Sequence, residues 1–156
     1  MGDYLAYGLL GALAIALLYC AWTDIRSRLI YNRVTLAIAC AAPLYWLACG
    51  EPVWPDWALH IGVAVAAFAF FFAFFALGVM GGGDVKLFAA LALWFPLAAV
   101  GDMALLTAVI GGGVTLIFWA EHRWRAREGG VEIPYGIAIA AAGLTQVGQR
   151  YLYHFA

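Results

Sequence analysis

Apolar positions in this chain neither alternate nor recur along one helical face. They run on almost unbroken and are separated by short polar clusters. Six such runs follow in order: Tyr4–Trp22, Val34–Cys49, Trp57–Val79, Lys86–Val100, Met103–Ala120 and Ile133–Leu152. A helix that is apolar all round belongs inside lipid, and crossing the hydrocarbon takes about 20 residues, with about 17 as a lower limit. The second and fourth runs are short, so they extend into flanking loops or meet thinned bilayer. The pattern predicts an all-α polytopic membrane bundle of about six transmembrane helices. One transmembrane domain then occupies residues 1–156. The first run lacks a basic start and carries Asp3, so it is expected to be a retained helix and not a signal peptide.

Composition agrees with the pattern. Hydrophobic residues make up 67% and charged residues 11% of the chain, against about 45–50% and about 25% in soluble domains. Too few polar groups exist to cover a water-exposed surface, and no nucleic-acid partner is expected. Cys20, Cys40 and Cys49 form no CxxC pair and read as small apolar packing residues. His60, His122 and His154 do not converge on one place in a six-span layout, so neither a metal nor a cofactor is expected.

The few charges are segregated. In six spans Arg26, Arg28, Arg33, Lys86, Arg123, Arg125 and Arg127 fall on one side, whereas Asp3, Glu51, Asp56 and Asp102 fall on the other with Arg150. Basic loops stay in the cytoplasm. The arginine side is therefore expected to be cytoplasmic and both termini outside. The seven tryptophans stand near expected span ends, as in an interfacial belt. Gly111–Thr115, "GGGVT", falls inside the fifth run and suits close helix packing.

Two acids break the apolar pattern at similar depth on the cytoplasmic side: Asp24 ends the first span and Asp84 opens the fourth. A carboxylate at the membrane is costly and points to function. Two that meet would split their titration, one ionised to take a proton from water and one protonated to polarise a peptide carbonyl. Plainer roles exist for each. Asp24 with Arg28 is an i,i+4 pair that can decorate a helix end, and "GGGD" is a common way to cap a helix. The glycines Gly81, Gly82 and Gly83 would let the chain turn sharply and let a substrate strand approach. Lys86 would neutralise charge near the acid or snorkel.

Three segments carry a resemblance. "GGGDVK" resembles the GxGD-x-K signature of the type IV prepilin peptidases, which are membrane aspartic proteases. "DIRSRLIYN" resembles that family's first-aspartate motif, and "IPYGIAIAAAG" its Pro-Tyr/Phe-Gly segment. The matches follow the family's order along nearly the whole chain. The resemblance implies that Asp24 and Asp84 are the catalytic pair, with Gly81, Gly83, Lys86, Asn32, Pro134 and Gly136 supporting the site or binding substrate. It further implies removal of a basic leader from prepilin or pseudopilin substrates at the cytoplasmic face of the inner membrane, during pilus or secretion-system assembly. Larger members carry an insertion with paired CxxC motifs for N-methylation, and this sequence has none. Cleavage without methylation is expected, as in the short members serving Flp-type (tight-adherence) pili or archaeal pilins and flagellins. Tyr31 stands where that family usually has proline.

Other classes compete. Presenilin-like GxGD proteases need YD and PAL motifs, which this sequence lacks. A proton- or cation-coupled transporter would use the same acids but place them near mid-membrane. A structural subunit of a secretion machine would need neither.

Overall fold

The computed structural model describes residues 2–124 and 135–153. They form six helices and, among the described residues, no strand: α1 (Gly2–Ser27), α2 (Asn32–Cys49), α3 (Ala58–Ala76), α4 (Gly82–Ala92), α5 (Leu97–Trp124) and α6 (Tyr135–Tyr153). Four of them, α1, α2, α5 and α3 with its lead-in from Val53, are long and apolar enough to cross a membrane. The all-α membrane bundle expected from the hydrophobic runs is the architecture found.

Local chemistry sets where the helices stop. Gly50 ends α2 in the left-handed conformation, its amide donating to Leu47 O while that of Glu51 donates to Trp46 O. Gly78 does the same after α3, with bonds from Gly78 and Val79 to Phe75 O and Phe74 O. These are the C-terminal caps that a residue without Cβ makes cheaply. The sharp turn ahead of Asp84 is therefore at Gly78, and not at Gly81–Gly83 as the sequence suggested. Gly81 is the extended N-cap of α4, and Gly82 and Gly83 are already helical.

The fourth apolar run is where expectation and structure part. Lys86–Val100 was to be one span, but α4 ends at Ala92 and α5 starts at Leu97. Pro96 explains the break. Proline disfavours helix in the residue before it and suits the start of the next one; here Pro96 O accepts the Val100 amide. At 11 residues, α4 is about 16 Å long, against about 30 Å of hydrocarbon. It survives as a buried wedge: Val85, Leu87, Phe88 and Leu91 are at most 2% exposed.

Two tryptophans fasten this wedge to α2. Trp94 Nε1 donates to Ile38 O at 3.0 Å, and Trp46 Nε1 donates to Leu93 O at 2.9 Å. Both rings are buried, so these two do not join the interfacial belt. Each carries its N–H to a carbonyl, as a buried indole must. Around the wedge, α4 packs on α2, α3 and α6, while α6 packs on α1 and α5 and α1 on α2. A Cβ on Gly143 would lie 3.0 Å from Leu17 and 3.2 Å from Leu91, so α1, α4 and α6 close on one another at this glycine. In the fifth-run glycines, Gly111 is the close-packing one, with the Tyr135 ring 3.1 Å from a would-be Cβ; Gly112 and Gly113 face open space. Large apolar side chains point outward instead of inward, among them Leu36, Val65, Phe70, Leu105 and Leu116. Lipid, not water, suits such a surface. Of the cysteines, Cys20 is buried and Cys40 and Cys49 are exposed, so only the first packs the interior.

Candidate active site

Asp24 lies in the last turns of α1 and Asp84 in the first turn of α4, and both side chains are buried. Since α1 runs toward this end and α4 starts from it, the two acids share one end of the bundle. Near this end Ile30, in the loop between α1 and α2, is buried. Ile30 Cβ is 3.1 Å from the position a Cβ would take on Gly83, and Ile30 Cδ1 is 2.8 Å from that position on Gly136. Gly83 neighbours Asp84, and Gly136 touches Asp24. One isoleucine thus packs beside the seat of Asp24 and beside the residue that precedes Asp84.

Asp24 is gripped by the start of α6. Its Oδ2 accepts the Ile137 amide at 3.2 Å, and the Gly136 amide also points to the carboxylate. Free amides and the helix dipole make such a helix start a natural seat for an anion. Gly136 is what allows the approach: a Cβ there would fall 2.7 Å from Asp24 Oδ2 and 2.8 Å from its Cγ. Arg28, one turn on, adds a positive charge within reach of Asp24. Its φ of 52° is left-handed, and its amide closes α1 on Asp24 O at 2.9 Å.

Asp84 folds back on its own helix start. Its carboxylate receives the Gly81 amide, and its amide donates to Gly81 O at 3.1 Å, a reciprocal arrangement of the capping-box kind. A Cβ on Gly81 would meet Asp84 Oδ2 at 2.9 Å. Asp84 lies outside the four spanning helices. Its carboxyl is pushed up to about 7, by burial first and by the charge on Asp24 second, with the Gly81 amide pulling the other way. At neutral pH this acid still holds a proton part of the time. The arrangement can therefore present one charged and one protonated carboxyl at the same end of the bundle.

Not every residue expected at the site joins it. Lys86 Nζ donates to Asn32 Oδ1 at 3.1 Å. Two residues on a helix are about 200° apart, so Lys86 points away from Asp84. Lys86 and Asn32 sit on the rim of a lateral groove of about 550 Å³ between α2, α3 and α4. Pro134 lies outside the described residues, as do the side chains of Arg123, Arg125 and Arg127. Tyr31 keeps a proline's geometry, with φ of −72° in extended backbone before α2, a value the proline ring would impose. Two participants escaped the sequence reading. Ile30 lay within a quoted motif without drawing notice, and Ile137 contributes only its backbone amide, which no side-chain pattern reveals.

At the opposite end of the bundle a second polar group forms. His60 Nε2 meets Glu51 Oε2 at 3.1 Å and its ring stacks on Trp46, while Arg150 donates to the Tyr45 hydroxyl at 3.1 Å. Among the described residues no cluster of three or more His, Cys, Asp or Glu side chains has the shape of a metal site.

The sequence model of the type IV leader peptidase family matches residues 11–116, more than half of the chain and inclusive of both acids. No curated protein and no solved structure matches the chain.

Proposed function

This chain belongs to the type IV leader peptidase family, a family of proteases acting on prepilin-type substrates, and from that premise we propose that Asp24 and Asp84 are its catalytic dyad. On this reading the protein is a GxGD-type aspartic endopeptidase, one transmembrane peptidase domain throughout. The observation carrying it is the shared end of the bundle: two buried carboxyls, each held by backbone amides at a helix start.

The chemistry follows from that holding. The ionised carboxylate takes a proton from water, which attacks the scissile carbonyl. The protonated partner donates a hydrogen bond to the carbonyl oxygen and its proton later reaches the leaving amine. The pair titrates as a unit. Gly136 and Gly81 keep the backbone close enough to fix both carboxyls.

Orientation and substrate follow from the charges. The arginine-rich side is cytoplasmic, so the acids face the cytoplasm and both termini lie outside, in a bacterial inner membrane. The substrate's basic leader stays in the cytoplasm while its apolar helix sits in lipid, which brings the bond between them to the dyad. Lacking the paired CxxC motifs, this protein cleaves without methylating, in the manner of a peptidase for Flp-type pili.

Co-expression with candidate prepilins tests the reading. Mass spectrometry of the substrate should show loss of the leader with the wild-type peptidase and an unmodified new N-terminus. An intact leader on every prepilin-type substrate, or a methylated product, contradicts it.

A further inference from the structure

Two cavities adjoin at the end of the bundle remote from the acids. The first, of about 360 Å³, is polar on one side, where Glu51, Asp56, His60 and Arg150 stand, and apolar on the other. The second, of about 460 Å³, is a lateral apolar groove between α3, α4 and α5 with Phe88 at its base. They share Leu59, Val63 and Leu97. A polar chamber at the ends of spans thus lies against a slot facing the hydrocarbon, with Leu59, Val63 and Leu97 between them. The slot exists because α3 packs on α4 and leaves a gap toward α5.

We infer that this composite cavity binds one phospholipid with a primary-amine zwitterionic headgroup, its ammonium in the polar chamber and an acyl chain in the slot. Shape and polarity select an amphiphile, because a soluble ligand would leave the slot empty and a bare hydrocarbon would leave the chamber unmatched. The headgroup follows from the charges. Glu51 and Asp56 are acceptors for ammonium N–H groups, and Arg150 supplies a cation for phosphate. His60 is buried to 8% exposure, and its Nδ1 has no hydrogen-bond partner, leaving a further polar atom at the chamber. A trimethylammonium headgroup has no N–H to offer two carboxylates. An anionic glycerol headgroup brings no cation to them at all.

The slot can be plugged without disturbing the fold. A Cβ on Gly62 or Gly101 would meet nothing within 4 Å, and both line the groove; Gly112, equally open, lies outside it. The purified protein is titrated with phosphatidylethanolamine, phosphatidylcholine or phosphatidylglycerol in detergent micelles, and bound lipid is read by native mass spectrometry. The wild type should retain the ethanolamine lipid about tenfold more tightly than the other two. Gly101→Phe and Gly62→Phe should each weaken that retention by about tenfold, as should Asp56→Asn, while Gly112→Phe leaves it unchanged. Equal retention of all three lipids overturns the assignment. So does retention that survives both slot substitutions, or that falls as much in Gly112→Phe.

Discussion

At one end of the bundle Glu51 meets a side-chain partner, His60, at 3.1 Å, and the imidazole is stacked on Trp46. At the other end Asp24 and Asp84 receive backbone amides, from Gly136 and Ile137 in one case and Gly81 in the other. The contrast separates two uses of a carboxylate. A carboxylate beside an imidazole ties a loop to a helix by charge and proximity. A carboxylate seated on helix-start amides is fixed in place, yet its proton remains available, because an amide can orient a charge but cannot exchange protons with it near neutral pH. Sharing an end with a second acid, it meets the requirement of the proposed dyad.

The largest expected effect comes from exchanging the two kinds of acid. Asp24→Asn and Asp84→Asn should each slow leader removal by about a thousandfold or more, as loss of a member of a cooperating pair does, while the protein remains inserted. Glu51→Gln should alter the rate by less than about threefold and act modestly on stability instead, through the lost charge beside His60. Following substrate mass in isolated membranes compares all three. A slow Glu51→Gln with a fast Asp84→Asn would reverse the contrast.

Next in size is Gly136→Ala. A methyl group there must displace Asp24 or Ile30, and a misplacement of about 1 Å at a reacting group costs on the order of a hundredfold. Gly112→Ala, in open space, should cleave at the wild-type rate within about twofold. Equal rates for the two variants would remove the close approach at Gly136 from the mechanism.

The pH profile sharpens the comparison further. Because the Asp84 carboxyl is raised to about 7, the pair keeps its proton below that pH and loses it above. Leader removal should therefore decline as pH rises through about 7. The sign for stability is the same: the unfolded chain surrenders this proton near 3.8, so folding becomes less favourable between there and about 7. A rate that climbs steadily through neutrality would contradict the protonated role of the pair.

The smallest effect lies away from both ends. Trp94→Phe removes the bond to Ile38 O and should lower stability by about 1 kcal/mol. Denaturant titration in micelles measures it, and cleavage by the folded fraction should be retained.

Much of this was legible in the chain because hydrocarbon demands long apolar runs, and such runs are visible in any sequence. The fourth run misled for the opposite reason: hydropathy sums Leu93, Trp94 and Phe95 without regard to Pro96, which stops the helix they would have joined. Trp46 and Trp94 look like interfacial anchors by type and position, but which carbonyl an indole N–H finds is decided by packing. Asp24, Asp84, Gly81, Gly83 and Gly136 were marked by their motifs and do cluster. Lys86 and Asn32 were marked equally and bond to each other instead, because Lys86 takes the other face of α4 from Asp84 and Asn32 starts a different helix from Asp24. Ile30 and the Ile137 amide could not be read at all: one acts by shape and the other through backbone.

The adjacency of the two acids admits a direct test. In a protein with Cys20, Cys40 and Cys49 replaced by alanine, Asp24→Cys and Asp84→Cys are combined and treated with a short thiol cross-linker. Glu51→Cys with His60→Cys, at the opposite end, serves as the proximate reference pair. The account predicts cross-linking of the first pair, in membranes and without substrate, to an extent comparable with the reference. Efficient cross-linking of the reference pair with none between positions 24 and 84 would contradict it.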